Sequence, residues 1–153
     1  MKSKVFLLAI LSFSLFAVSV LGMEHNHPPS DADAKADCAI NKGPCIKMIG
    51  SDNIQVEFNI NPKPVKSMND LLFTVLLKGE KQPVSDAGVS IDLTMPGMFM
   101  GVNKPLLKHV KDGRYEGRGA LPVCPHGGKL WKAEVEVIRE GKAASVSFLF
   151  EVD

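Results

Sequence analysis

The sequence has few aromatic residues and lacks the short motifs of the common enzyme classes. Its 153 residues include one tryptophan, one tyrosine and three cysteines. It has no G-x-S-x-G elbow, no phosphate-cradling glycine loop, no H-E-x-x-H and no pair of carboxylates in an apolar setting. We therefore expect no enzyme and see no evident small-molecule substrate.

The sequence also lacks an excess of either charge. It carries 18 basic and 17 acidic residues. Without Lys2 and Lys4, which precede a long apolar run, the basic count becomes 16 and the net charge −1. No overall basic field is available to attract nucleic acid, so we expect no nucleic-acid partner.

Long apolar runs are absent after the amino terminus. Lys2 and Lys4 precede an uncharged apolar run at 5–21, and Gly22 is a small residue at a plausible cut. This pattern predicts a signal peptide over residues 1–22 and an exported protein. The alternative is an uncleaved helix that tethers the protein to the membrane, but a spanning helix needs about 20 residues.

The leader after the predicted cut has little that it could bury. Residues 23–44 read as a disordered His/Asp-rich leader and a cysteine segment, and 45–153 as one domain. A cut after Gly22 makes His25 the third residue, where amine, amide and imidazole nitrogens could hold square-planar Cu(II) or Ni(II). Alternatively, His25 and His27 belong to a polar tail without a role.

Apolar and polar residues alternate along most of the chain from Cys45 onward. Such alternation is typical of strands with one buried face, and no stretch shows the periodicity of a long helix. The predicted fold class is all-β, an immunoglobulin-like antiparallel β-sandwich of about seven strands. The alternating runs lie at 54–60, 71–77, 89–93, 114–121, 131–137 and 146–152.

Three of the seven methionines are concentrated in "TMPGMFMG", residues 94–101. Proline suits the second position of a tight turn and glycine the third, so Met95 and Met98 should lie at the two ends of one turn. Met100 would point to the same side as Met98 if the chain leaves the turn extended. Three thioethers brought together in this way would select Cu(I).

Further donors for such a site come from His109 and from the loop "CPHGG", which holds Cys124 and His126. They would complete a copper site if the loops meet at one end of the sandwich. The alternative interpretation is that the methionines fill an irregular gap at the end of a sandwich. The two histidines would then be ordinary surface residues.

The three cysteines allow several pairings. Cys124 could be a metal ligand with His126, or it could form a disulfide with Cys38 or Cys45. We favour a Cys38–Cys45 disulfide, because the eight-residue loop that it closes already contains a Gly-Pro turn. This pairing leaves Cys124 free.

The segments "PVSDAGVSIDLTMPGMFMG" and "DGRYEGRGAL", followed by a pair of strands that begins with Trp131, resemble the YtkA-like and FixH-like family. The resemblance covers roughly residues 69–152 and implies an exported, periplasmic immunoglobulin-like domain. Its relatives are often associated with copper handling or oxidase assembly. The residues that map onto the family pattern are Met95, Met98, Met100, Asp112, Gly113, Tyr115 and Gly117.

Two functions are compatible with these features. The first is an exported copper-binding carrier, buffer or accessory in metal handling or oxidase assembly. The second is a non-catalytic immunoglobulin-like interaction module that docks on a membrane-associated protein complex without metal.

The hairpin residues have structural roles in this interpretation. Asp112-Gly113 predicts a two-residue turn, and Gly117 predicts a bulge or close backbone approach. We expect Tyr115 at the surface or edge of the sandwich.

Overall fold

The computed structural model describes residues 34–51 and 53–152. The regular structure of these residues consists of strands, as predicted. The predicted signal peptide and His25 lie outside the described residues. The eight strands are β1 (Cys45–Ile49), β2 (Ile54–Asn61), β3 (Leu71–Lys78), β4 (Gly88–Thr94), β5 (Lys108–Lys111), β6 (Arg114–Gly119), β7 (Leu130–Arg139) and β8 (Lys142–Glu151).

The strands form two antiparallel sheets. One has the order β1-β2-β3-β6-β5 and the other the order β4-β7-β8. This confirms the predicted all-β sandwich, with one strand more than the approximate seven. Alternation does not reveal β5, because all four of its residues are exposed. Within the described segments, no helix is long and apolar enough to cross a membrane.

The core lies between the two sheets and is built from the alternating residues of the long strands. Phe58 of the larger sheet stacks on Phe148 of the smaller one, with ring centroids 5.3 Å apart. Burial of such large apolar surfaces supplies most of the free energy that holds two sheets together. The largest buried side chains include Trp131, Tyr115, Phe58, Phe73, Phe148 and Phe150.

Tyr115 belongs to this core, which corrects the expectation that it lies at the surface or edge. Its side chain is only 2% exposed. The hydroxyl donates a hydrogen bond to the carbonyl of Val84 and accepts one from the amide of Ala87, each 3.2 Å long. These two bonds satisfy the hydroxyl in the loop between β3 and β4, so the ring can be buried.

The hairpin between β5 and β6 turns at Asp112-Gly113 as predicted. Both residues have positive φ values, 47° and 72°, which suits a type I′ turn. A Cβ atom at Gly117 would lie 2.5 Å from the carbonyl oxygen of Leu106. The predicted close backbone approach is therefore present at Gly117.

The segment before β1 packs against the sandwich. Cys38 and Cys45 form the predicted disulfide, with their Cα atoms 5.6 Å apart. Cys38 and Ile40 are buried in the core. The amides of Asp37 and Cys38 donate to the carbonyl of Leu149 in β8, and the Asp37 carboxylate accepts from the Leu149 amide at 3.0 Å. The described part of the cysteine segment thus covers the edge of the smaller sheet.

The connections between strands gather at two ends of the sandwich. Residues 62–70, 95–107 and 120–129 form one end, which we call the sulfur end. The described loops at 79–87, 112–113 and 140–141 belong to the opposite end, which we call the hairpin end.

The disulfide should contribute measurably to stability. The double change Cys38→Ser with Cys45→Ser should lower the free energy of unfolding by about 2 to 3 kcal/mol, because the unfolded chain gains the entropy of the opened loop. Urea unfolding followed by tryptophan fluorescence measures this difference.

Cys124→Ser is the control for that experiment, since it leaves the disulfide intact. Indistinguishable stabilities of the double variant and the wild type would show that the disulfide does not stabilise the fold.

Candidate functional site

The first element of the site is the turn that follows β4. The amide of Met98 donates to the carbonyl of Met95 at 3.1 Å. Gly97 has a φ of 71°, which is the conformation that a type II turn requires at its third position. The methionine-rich stretch therefore folds back as the sequence predicts. Met95 is buried, whereas Met98 and Met100 are half-buried against the core.

The second element is the turn that precedes β7. The amide of Gly127 donates to the carbonyl of Cys124 at 3.0 Å, so the chain reverses over Pro125 and His126. Cys124 is a free thiol and is only 6% exposed. Although Cys124 belongs to the loop "CPHGG", the structure buries its side chain.

The two turns meet through their sulfur atoms. The Cys124 thiol donates to Met98 Sδ, with the two sulfurs 3.5 Å apart. The meeting follows from strand pairing, because Thr94 at the end of β4 lies opposite Lys132 near the start of β7. The residues that extend beyond these strands, Met95 to Met98 and the turn at Cys124, therefore occupy the same end of the molecule.

Gly128 provides the space in which the sulfur groups approach each other. A Cβ atom at this position would lie 2.9 Å from Met95 Cε and 3.3 Å from Cys124 Sγ. The Met95 methyl group and the Cys124 thiol therefore both lie against this glycine. In the sequence the Gly-Gly pair indicates only a turn, and a close approach between loops leaves no other trace there. We call Met95, Met98 and Cys124 the sulfur cluster.

A small cleft borders Cys124. It has a volume of about 180 Å³ and is lined by residues that include Ser67, Cys124, Gly128, Trp131 and Val152. Trp131 is buried, so its ring forms part of the apolar wall. The cleft gives a small solute a path to a thiol that is otherwise covered.

The two predicted histidine ligands lie in different parts of the molecule. His126 lies exposed in the second turn, two residues from Cys124. His109 lies in β5, where its ring packs on Tyr115 with centroids 5.1 Å apart. Because Tyr115 contacts Val84 and Ala87 before β4, whereas Met95 follows β4, the structure places His109 away from the methionines.

The donor set favours sulfur coordination. Among the described residues, no group of three or more His, Cys, Asp or Glu side chains could hold a metal ion. A site here would have to use thioethers. Two sulfurs that are each about 2.3 Å from one ion lie roughly 3.7 to 4.0 Å apart at tetrahedral to trigonal angles. The observed 3.5 Å separation is slightly shorter, and a small rotation of either side chain would make room. The residues fit a soft ion.

Comparison with known proteins supports the fold and leaves the ligand set open. Residues 49–122 match the model of the YtkA-like family, and this match supports a YtkA-like classification. This match confirms the YtkA-like part of the resemblance. The matched region contains the methionine turn and ends before Cys124. No curated protein and no solved structure gave a match.

The burial of Cys124 predicts slow modification of its thiol in the folded protein. With the disulfide intact, the native protein should react with Ellman's reagent at least about tenfold more slowly than the urea-unfolded chain, because little of the thiol is accessible. Met98→Ala removes a side chain that contacts Sγ and should raise the native rate.

Met48→Ala is the matched control, since Met48 is exposed on β1 and distant in sequence from both turns. Equal rates for native and unfolded protein would show that the thiol is not enclosed.

Proposed function

We propose that this protein is an exported Cu(I)-binding protein that acts as a carrier, buffer or accessory in metal handling or oxidase assembly. The sulfur cluster binds the ion. The contact between Met98 Sδ and Cys124 Sγ carries the proposal, because it joins two separate turns through two soft donor atoms. The YtkA-like classification supports the scaffold.

The residues of the cluster have complementary parts in this proposal. Met95 and Met98 supply neutral thioethers, which bind without losing a proton and prefer a soft ion. Cys124 supplies a thiolate after deprotonation and so balances the charge of the cuprous ion. Met100 and His126 are the next donors along the two turns.

The half-buried position suits transfer better than permanent storage. Met98 is partly exposed, and Cys124 lines a cleft that opens to solvent. Neutral thioethers hold copper less tightly than a set of several thiolates would, so a partner with more thiolates could remove the ion. The direction of transfer is thereby set by the partner.

Cu(I) titration of the purified protein tests the proposal. Competition with a chromogenic Cu(I) chelator, with ascorbate as reductant so that the disulfide stays closed, should give a single tight site. Met98→Leu and Cys124→Ser should each weaken binding by at least about tenfold, because each removes one donor from the same ion.

Met48→Leu is the matched control, because it removes a thioether outside the cluster. His25→Ala separates this site from any Cu(II) or Ni(II) bound by the leader. Unchanged Cu(I) affinity in both Met98→Leu and Cys124→Ser would reject the sulfur cluster as the site. Such a result would favour the interaction module without metal, which predicts capture of a membrane complex after metal removal.

A further inference from the structure

Large apolar side chains project into solvent at the sulfur end. Phe99 and Val102 are 88% and 82% exposed, and both belong to the loop after β4. Met68 and Val123, which are also exposed, come from the other two loops of this end. Exposed apolar groups concentrated in this way mark an interaction surface.

The charges at the sulfur end are mostly of one sign. Its three loops contain four lysines and one carboxylate, Asp70, which pairs with Arg118 at 2.6 Å. The loops at 79–87, 112–113 and 140–141 of the hairpin end contain one lysine and four carboxylates. The loops of the two ends therefore differ in charge, although basic strand residues flank the hairpin loops and Asp86 there pairs with Arg139. Glu151 lies on the flank of the sulfur end, beside the cysteine segment.

Two of the four lysines are available to a partner. Lys63 donates through Nζ to the backbone carbonyl of Ile40, and partial burial lowers its pKa. Lys104 pairs with Asp92 at 3.0 Å. Lys66 and Lys129 are exposed and make no ion pair with the other described residues. They carry the accessible positive charge beside the apolar side chains.

We propose that the sulfur end docks on the surface of an anionic lipid bilayer. Phe99 and Val102 insert among the headgroups, and Lys66 and Lys129 contact lipid phosphates. Apolar side chains on three separate loops fit a deformable lipid surface better than they fit one continuous groove in a protein. This docking does not depend on metal binding.

Fluorescence of the Phe99→Trp variant in the full chain tests the docking directly. With vesicles that contain phosphatidylglycerol, its added emission should shift to the blue and be quenched by brominated lipid. The native Trp131 signal is subtracted with the wild type, which is reasonable because Trp131 is buried. All variants have the same amino-terminal residues, so any membrane attachment through those residues is common to all of them. A difference in quenching between tryptophan positions therefore reports the depth of the loop after β4.

Ile46→Trp, at a position 55% exposed on β1, is the matched control and should stay unquenched. Starting from Phe99→Trp, the added changes Lys66→Gln and Lys129→Gln should weaken binding by roughly fivefold for each lysine, and added salt should weaken it as well.

Several results would overturn the docking. These are an unquenched Phe99→Trp, equal quenching of Ile46→Trp, and binding to neutral phosphatidylcholine vesicles as strong as binding to anionic ones. An equal blue shift with soluble polyglutamate, together with loss of vesicle binding in its presence, would assign the surface to an acidic protein instead.

Discussion

The antiparallel pairing of β4 with β7 is the constraint on which the rest of the site depends. It sets Thr94 opposite Lys132, so the chain that leaves β4 and the chain that enters β7 emerge side by side. Each then makes a tight turn, and Met98 and Cys124 come into sulfur contact. The buried core stabilises the pairing of β4 with β7, and this rigid scaffold fixes the positions of the loops.

The site combines a part that lies within the family match and a part that lies beyond it. The methionine turn falls within the YtkA-like region, whereas Cys124 and Gly128 follow its end at residue 122. The disulfide segment begins before that region and covers the edge of the smaller sheet. The thioethers therefore lie within the family match, and the thiol beside them lies outside it.

The two ends of the sandwich differ in character although the total charge is close to zero. The sulfur end carries exposed Phe99 and Val102 with two accessible lysines, and the hairpin end carries most of the loop carboxylates. This difference between the loops appears only when they are sorted by the sheet topology. In our proposals, the same end binds copper and faces an anionic surface, so the metal would be presented close to the bilayer.

The sequence by itself determined the all-β class, the turn at Met95 to Met98, the hairpin at Asp112 and the Cys38–Cys45 pairing, because each depends on local periodicity, turn chemistry or a short loop. Alternation could not reveal β5, whose residues are all exposed, and it misplaced Tyr115, whose hydroxyl finds partners in a distant loop. Only the tertiary structure decided that Met98 meets Cys124 while His109 does not join them. Those distances depend on which strands pair, and strand pairing is settled by the packing of residues far apart in the chain.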